Sequence, residues 1–326
     1  MQQITIGPNE AGQRLDKFLH KYLPNAGTSF LYKMLRKKNI TLNGRKAEGK
    51  ESLSEGDIIR CFFAEETFLK FAGKESSPED TTPYINAYRS LRDIHVLYED
   101  EDMAALDKPA GILTQKARDT DFSLNEWLIG YLLENGTIAP TQLRTFKPSV
   151  CNRLDRNTSG LVLCGKTLSG SQNLSHLIRT RSISKFYRTI CVGRLENTQK
   201  LDGYLVKDAH TNKVSITKEP SGDDSDAICT IIRPLYGNDA YTMLEVELIT
   251  GKTHQIRAHL ASIGHPIIGD YKYGRPQINS LLKKQFGLEY QLLHAYRMEF
   301  PDGRIIIAPL PELFTKLLAG LGLESI

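Results

Sequence analysis

The apolar and polar positions divide the chain into two unlike parts. In "RLDKFLHKYL" the residues Leu15, Phe18, Leu19, Tyr22 and Leu23 recur at three- and four-residue intervals. That spacing predicts one apolar stripe of an amphipathic helix, with charges opposite. "TSFLYKMLRKK" repeats the pattern: Leu31, Met34 and Leu35 face inward, Lys33, Arg36 and Lys37 face outward, and Thr28 or Ser29 can cap the first turn. "ITLNGRKA" predicts a hairpin turning on Asn43-Gly44, a pair suited to the positive φ of a type I′ turn. "LSEGDIIRCFF" supplies another turn and strand. Together these predict a small module over residues 1–71. "AGKESSPEDTTP", polar, proline-bearing and without period, predicts a linker within 72–89.

From residue 90 to 326 the pattern changes. "IHVLYEDEDMAALDKPAG" predicts a hairpin turning at Asp100 to Asp102. "SLNEWLIGYLLENG" has Ser123 and Glu126 as a capping box, a stripe of Leu124, Trp127, Leu128, Tyr131 and Leu132, and Gly136 as terminator. Strands are predicted at 185–193, 241–249, 292–300 and 303–308, the last two joined across Pro301-Asp302-Gly303, and helices near 169–180 and 253–263. Strands outnumber helices and lack regular βαβ alternation. The fold class expected is therefore α+β: a small N-terminal module plus a second domain on a large, mainly antiparallel mixed sheet.

At 326 residues the chain is long for a single core, which agrees with two domains. Hydrophobic residues at 40% and charged residues at 25% are those of an ordinary globular protein. No apolar run approaches the roughly 18 to 20 residues of a membrane span, so no membrane partner is expected. The opening "MQQITIGPNE" carries no signal-like pattern, and the five cysteines (61, 151, 164, 191, 229) are scattered without a C-x-x-C pair. Reduced thiols in a cytoplasmic protein are the expectation, and a zinc ribbon is not.

A net charge of +4 is modest, but its distribution is uneven. Thr28 to Lys50 carries seven Lys/Arg (33, 36, 37, 38, 45, 46, 50) against one acid, Glu48. "RTRSISKFYR" holds Arg179, Arg181, Lys185 and Arg188 with no acid. Both clusters interleave aromatics (Phe30 and Tyr32; Phe186 and Tyr187), a combination that points to a polyanion.

The candidate chemistry lies in "VCNRLDRNTSGLVLCGKT", residues 150–167. Its "GLVLCGKT" satisfies the letters of a phosphate-binding loop. Yet Leu161, Val162, Leu163 and Cys164 form an apolar, partly β-branched run, which favours a buried strand rather than a loop wrapping phosphate in backbone N–H groups. No stretch reads as the magnesium-binding partner strand. The other reading takes Asp155 as a reactive carboxylate, set in a tight Asn-, Thr- and Gly-rich loop at a strand entrance and flanked by Arg153 and Arg156. Flanking arginines favour the ionised form and attract phosphates.

These segments resemble the RluA-type pseudouridine synthases. Their H-R-L-D-x-x-T-S-G signature is matched by "NRLDRNTSG"; "VLYEDEDMAALDKPAGILT" (96–114), "SKFYRTICVG" (184–193), "LITGKTHQIRAHLASIGHPIIGD" (248–270) and "LLHAYRMEF" (292–300) are similar to the family's other motifs, in the family's order. The N-terminal module resembles the RNA-binding domain first described in ribosomal protein S-four. The resemblance implies the pseudouridine synthase fold and an isomerase that turns uridine into pseudouridine, with Asp155 as catalytic residue, Tyr187 as an active-site tyrosine and Arg257 pairing with the carboxylate. The uracil would stay bound, rotate and rejoin through C5, and no cofactor or metal would be needed. Two departures stand out: Asn152 where many members have His, expected to change loop anchoring only, and Lys252 where Arg is usual, which keeps the charge but not a bidentate fork.

Arg153 would enter the RNA stack or hold phosphates. Lys33, Arg36, Lys37, Lys38, Arg45, Lys185, Arg188, Lys252 and His254 are the remaining candidate RNA contacts. His254, His259, His265 and His294 are expected to be structural or RNA-facing, since His254 and His259 lack the i,i+4 spacing of a zinc helix. Within the family the large-subunit RluC/RluD-type enzymes match best, which makes 23S-type ribosomal RNA the expected partner of a monomeric protein. The alternatives are a tRNA-directed synthase of the same family, or an RNA- or ribosome-binding factor without catalysis.

Overall fold

The computed structural model describes residues 1–72, 80–207, 213–220 and 225–325. The N-terminal module comprises β1 (Gln2–Thr5), α1 (Leu15–Tyr22), α2 (Thr28–Arg36), β2 (Ile40–Leu42), β3 (Arg45–Lys46), β4 (Ile58–Cys61) and α3 (Glu65–Ala72). Its strands form a sheet in the order β1-β4-β2-β3. Asn43 and Gly44 have φ of 52° and 74°, so the hairpin turn is of the primed kind. Phe18, Leu19, Leu31, Leu35, Ile40 and Ile59 are buried together beneath that sheet. Gly27, not Thr28 or Ser29, stands at the N-cap of α2, and no side chain caps it.

Of the expected linker, residues 73–79 lie outside the described residues. The rest is not a linker: α4 (Thr82–Ser90) starts with Pro83 in its first turn, where proline's missing N–H loses nothing. It packs on the next helix, with Tyr88 against Trp127 at 5.5 Å between ring centroids.

The second domain continues with β5 (His95–Glu99), β6 (Met103–Lys108), α5 (Leu124–Glu134), a 3₁₀ turn (Pro140–Arg144), β7 (Ser149–Val150), β8 (Ser159–Gly165), α6 (Leu168–Arg179) and β9 (Ser184–Val192). Then come β10 (Gln199–Lys207), β11 (Val214–Thr217), β12 (Asp226–Gly237), β13 (Tyr241–Leu248), α7 (Gln255–Ser262), α8 (Pro276–Phe286), β14 (Leu293–Glu299), β15 (Ile305–Ile307), α9 (Glu312–Gly320) and β16 (Glu324–Ser325). One 12-stranded mixed sheet runs in the order β11-β10-β12-β13-β9-β14-β8-β6-β5, with β15 on β14, β16 on β12 and β7 on β8. Only the β8–β14 pairing is parallel among the described strands. The fold is α+β, as the pattern of elements predicts.

Helices α5 and α7 bury Trp127, Leu128, Ile256 and Leu260 against one face, beside Tyr187 and Leu154. Helix α6 covers the opposite face through Leu174, against Leu161 and Leu163. Of the phosphate-loop letters, residues 160–165 lie on strand β8, which is buried at every position. No N–H nest is available there. Among the described residues, no helix is long and apolar enough to cross a membrane.

Candidate active site

Asp155 sits in the loop between β7 and β8, and five hydrogen bonds hold that loop. Asn152 accepts from the Leu163 N–H at 2.7 Å and donates to the Leu161 carbonyl at 3.4 Å, which ties the loop start to β8. The Thr114 hydroxyl donates to the Leu154 carbonyl at 2.8 Å and accepts from the Leu154 N–H at 3.2 Å. The Thr158 N–H closes the turn on the Asp155 carbonyl at 3.0 Å. Beneath them Lys108, fully buried, donates to the carbonyls of Pro109, Ile112 and Arg156, each at 3.0 Å. Three acceptors match the three N–H groups of an ammonium. Burial pulls its pKa down to about 7, against the pull of the Asp155 and Asp107 carboxylates.

The Asp155 side chain is a quarter exposed, and its Oδ2 accepts from Arg257 Nη1 at 2.8 Å. The rest of that guanidinium forks onto Asp270: Nε to Oδ2 at 2.7 Å, Nη2 to Oδ1 at 2.9 Å. Asp270 is buried, and Oδ1 also accepts the N–H groups of Lys272 and Tyr273 at 2.8 and 3.1 Å. Burial alone would push the Asp270 carboxyl up; Arg257 and the two N–H groups outweigh it and hold it below the usual carboxylate range. Burial likewise works against the Arg257 charge, and Asp270 first, then Asp155, raise its pKa beyond the ordinary guanidinium value. The guanidinium lies 5.2 Å from the centre of the Tyr273 ring.

Tyr187 comes from β9, where it is buried on the face that Asp155 overlooks, and both line one cavity of about 730 Å³. Burial, then the Asp155 carboxylate, push its phenol up, so it stays protonated at neutral pH. His254 caps α7 from a left-handed backbone, φ 57°. Its Nδ1 is 3.0 Å from the Tyr273 hydroxyl and its Nε2 3.8 Å from Asp155 Oδ2, and burial lowers its pKa.

The other candidates divide. Arg153, exposed, lines the cavity and has no ion-pair partner among the described residues. Lys185 also lines it, beside Gly251, its pKa lowered by burial and then by Arg181. Lys252 lines it too, but its Nζ holds Asp226 at 2.6 Å. Arg188 is not brought to the cavity. Alternation along β9 sends it to the opposite face from Tyr187. There it pairs with Glu245 at 3.1 Å and donates to the Tyr296 hydroxyl at 3.0 Å. Lys33, Arg36, Lys37, Lys38 and Arg45 are exposed on α2, its end and the hairpin. His259, His265 and His294 bond to Thr230, the Val192 carbonyl and Ser159. No cluster of His, Cys, Asp or Glu able to hold a metal exists among the described residues.

Sequence reasoning passed over Lys108, Thr114, Asp270 and Tyr273. A signal existed for two of them: Lys108 closes the apolar run "MAALDK", and Asp270 follows "HPIIG", so each charge is attached to a segment destined for the core.

Residues 102–262 match the family model of RNA pseudouridylate synthase. The "Ribosomal large subunit pseudouridine synthase C" of Vibrio parahaemolyticus is 27% identical, covering 98% of this chain and 96% of its own length. An RNA pseudouridine synthase of Mycoplasma pneumoniae, itself described as uncharacterized, is 32% identical over 88% of this chain and 84% of its own. The solved structure of human RNA Pseudouridylate Synthase Domain Containing 4 shares the fold, with a TM-score of 0.60 at 22% identity over 74% of this chain and 97% of that one. Fold and relatives together define an RNA-modifying enzyme of the isomerase class. The chain belongs to the RNA pseudouridylate synthase family.

Proposed function

We propose that this enzyme converts specific uridines of large-subunit ribosomal RNA to pseudouridine, with Asp155 as the catalytic carboxylate and residues 1–71 as an S-four-type RNA-binding domain. The observation that carries the proposal is Asp155 itself, a quarter exposed in a cavity that also holds Tyr187, and oriented by Arg257 at 2.8 Å. The ribosomal target rests on the relatives named for the large subunit and on the free basic side chains of α2 and its hairpin.

Cleaving the N1–C1′ bond gives the sugar oxocarbenium character and leaves the electron pair on uracil N1. An ionised Asp155 can answer either by bonding to C1′ or by taking the C2′ proton. Both routes lead back to C1′ bonded to uracil C5, after which the C5 proton is lost and N1 is protonated. Atoms and charge balance within the substrate, so no exchange partner is required. Tyr187, protonated and buried, would pack on the base and can pass a proton late. Target extrusion from an RNA stack takes a few kcal/mol, which phosphate contacts along the cavity mouth, beginning with Arg153, would offset.

The test uses ribosomal RNA from a strain lacking the gene, with pseudouridine read by carbodiimide-blocked primer extension. Wild-type protein should restore specific stops. Asp155→Ala should bind the RNA and restore none. Turnover near wild type in that variant would rule out Asp155 as the catalytic group.

A further inference from the structure

A second cavity, of about 520 Å³, opens beside the first and shares Leu113 and Arg156 with it. That volume suits one nucleotide-sized ligand. Leu91, Ile112 and Leu113 give it apolar walls, and Phe122 and Arg118 stand on its rim. Phe122 is 39% exposed, stacks on no other ring and belongs to no buried cluster among the described residues. Nothing covers it.

Two guanidinium groups and one carboxylate line it. The Arg118 guanidinium has no partner among the described residues, although its loop is ordered: the Asp121 carboxylate accepts the Ala117 and Arg118 N–H groups at 3.2 and 2.8 Å. Asp121 is the one acid lining the cavity among the described residues, and those two bonds engage it. Arg156 is mounted firmly, with Nε donating to the Gly111 carbonyl at 2.9 Å and its own carbonyl receiving the Gly111 N–H at 2.9 Å and Lys108 at 3.0 Å. Its guanidinium is thus fixed at the wall common to both cavities, with its two terminal nitrogens unengaged among the described residues.

A free aromatic ring, two unpaired guanidinium groups and an apolar slot are the parts that hold single-stranded nucleic acid. We infer that the second cavity receives the unpaired base adjoining the target uridine in the same RNA strand. The base stacks on Phe122, Arg156 meets the phosphate joining the two nucleotides, and Arg118 meets the next phosphate outward. This rests on the reading of the first cavity as the uridine site, because continuity through Arg156 is what makes the occupant the neighbouring nucleotide. Stacking accepts any base, so the cavity selects for an unpaired neighbour rather than for a sequence.

The probe is a short single-stranded RNA with 2-aminopurine beside one uridine, titrated with full-length protein. Stacking on Phe122 quenches the fluorophore. Phe122→Leu should abolish the quench and weaken binding about tenfold, whereas Phe122→Tyr should keep both. Arg118→Ala and Arg156→Ala should each reduce the slope of log affinity against log salt by about 0.7. On ribosomal RNA, Phe122→Leu should raise KM about tenfold and leave kcat within about twofold. No quench by the wild type, or an unchanged quench and KM in Phe122→Leu, would overturn the assignment. Asp155→Ala separates the two readings, since it should quench fully and make no product. A quench lost in Phe122→Leu alongside normal turnover in Asp155→Ala would remove the carboxylate reading and leave the second cavity standing.

Discussion

One guanidinium serves two carboxylates at this site, and the shares are unequal. Asp270 takes the two-pronged side of Arg257, while Asp155 receives a single N–H, which leaves its other oxygen without a protein partner among the described residues. On the proposed reading Asp270 is a positioning residue: its fork keeps Arg257 from capturing both oxygens of Asp155. Asp270→Asn should lower kcat about 10- to 100-fold with a smaller change in KM, the signature of misplacement rather than lost binding. Because both partners are buried, urea denaturation of the same variant should show a loss on the order of 3 kcal/mol.

His294 makes a second prediction at this scale. Its Nε2 faces the Ala308 carbonyl, which can only accept, so the ring is the Nε2–H tautomer and Nδ1 accepts from the Ser159 hydroxyl at 2.9 Å. Burial lowers its pKa to about 4 from the ordinary 6.5, so the fold holds it neutral. The unfolded chain binds the proton first, hence the contribution is complete above pH 6.5 and is lost as pH falls toward 4, about 3 kcal/mol in all. Denaturation melts between pH 7 and 4.5 should fall more steeply for wild type than for His294→Gln. Asp155, Tyr187 and Arg257 were legible because each stands in a recognisable motif. Lys108 and Asp270 are marked in the sequence only by the apolar runs that carry them, because the partners of a buried charge are defined in three dimensions.

At the scale of elements, the Asp155 loop hangs on one close approach. Gly160 has φ of 107°, and a Cβ there would lie 2.2 Å from the Ala295 carbonyl oxygen across the parallel β8–β14 pair. Gly160→Ala must push the strands apart. Its urea midpoint should drop by the equivalent of roughly 3 kcal/mol, and activity should fall with it as the Asp155 turn shifts. The elements legible from pattern were those with one clear stripe, apolar run or turn: α1, α2, α5, α6, α7, strands β9, β13, β14 and β15, and the β2–β3 and β5–β6 hairpins. Strands β10 to β12 were hidden, since β10 sets Lys200 and Asp202 on a half-exposed face and β12 carries Pro234, where its register with β13 shifts. Alternation is weak wherever neither face is fully buried. Helix α4 was masked by the polar, proline-bearing stretch that introduces it. The basic run 179–188 looks like one patch in the sequence, although a strand must divide it between two faces.

Across the whole molecule, the N-terminal module is docked on the larger domain. Lys21 donates to the Thr145 carbonyl at 3.1 Å and to Gln13 at 2.6 Å. Arg144 donates to the Tyr22 carbonyl at 3.3 Å and lies 4.9 Å from the centre of that ring, and the Thr145 hydroxyl meets Glu10. Polarity at this joint explains why sequence patterns separate the two domains yet say nothing of their contact. The double variant Lys21→Ala, Arg144→Ala should broaden the solution scattering envelope and split one calorimetric transition into two. It should also weaken binding to a folded ribosomal RNA fragment about tenfold while leaving turnover of short unstructured RNA unchanged. A joint of this kind turns the protein into a calliper. On the proposed reading, the span from basic α2 and the β2–β3 hairpin to the Asp155 mouth is fixed by the enzyme, so a uridine qualifies by its distance from a folded landmark in the RNA, whatever letters stand between.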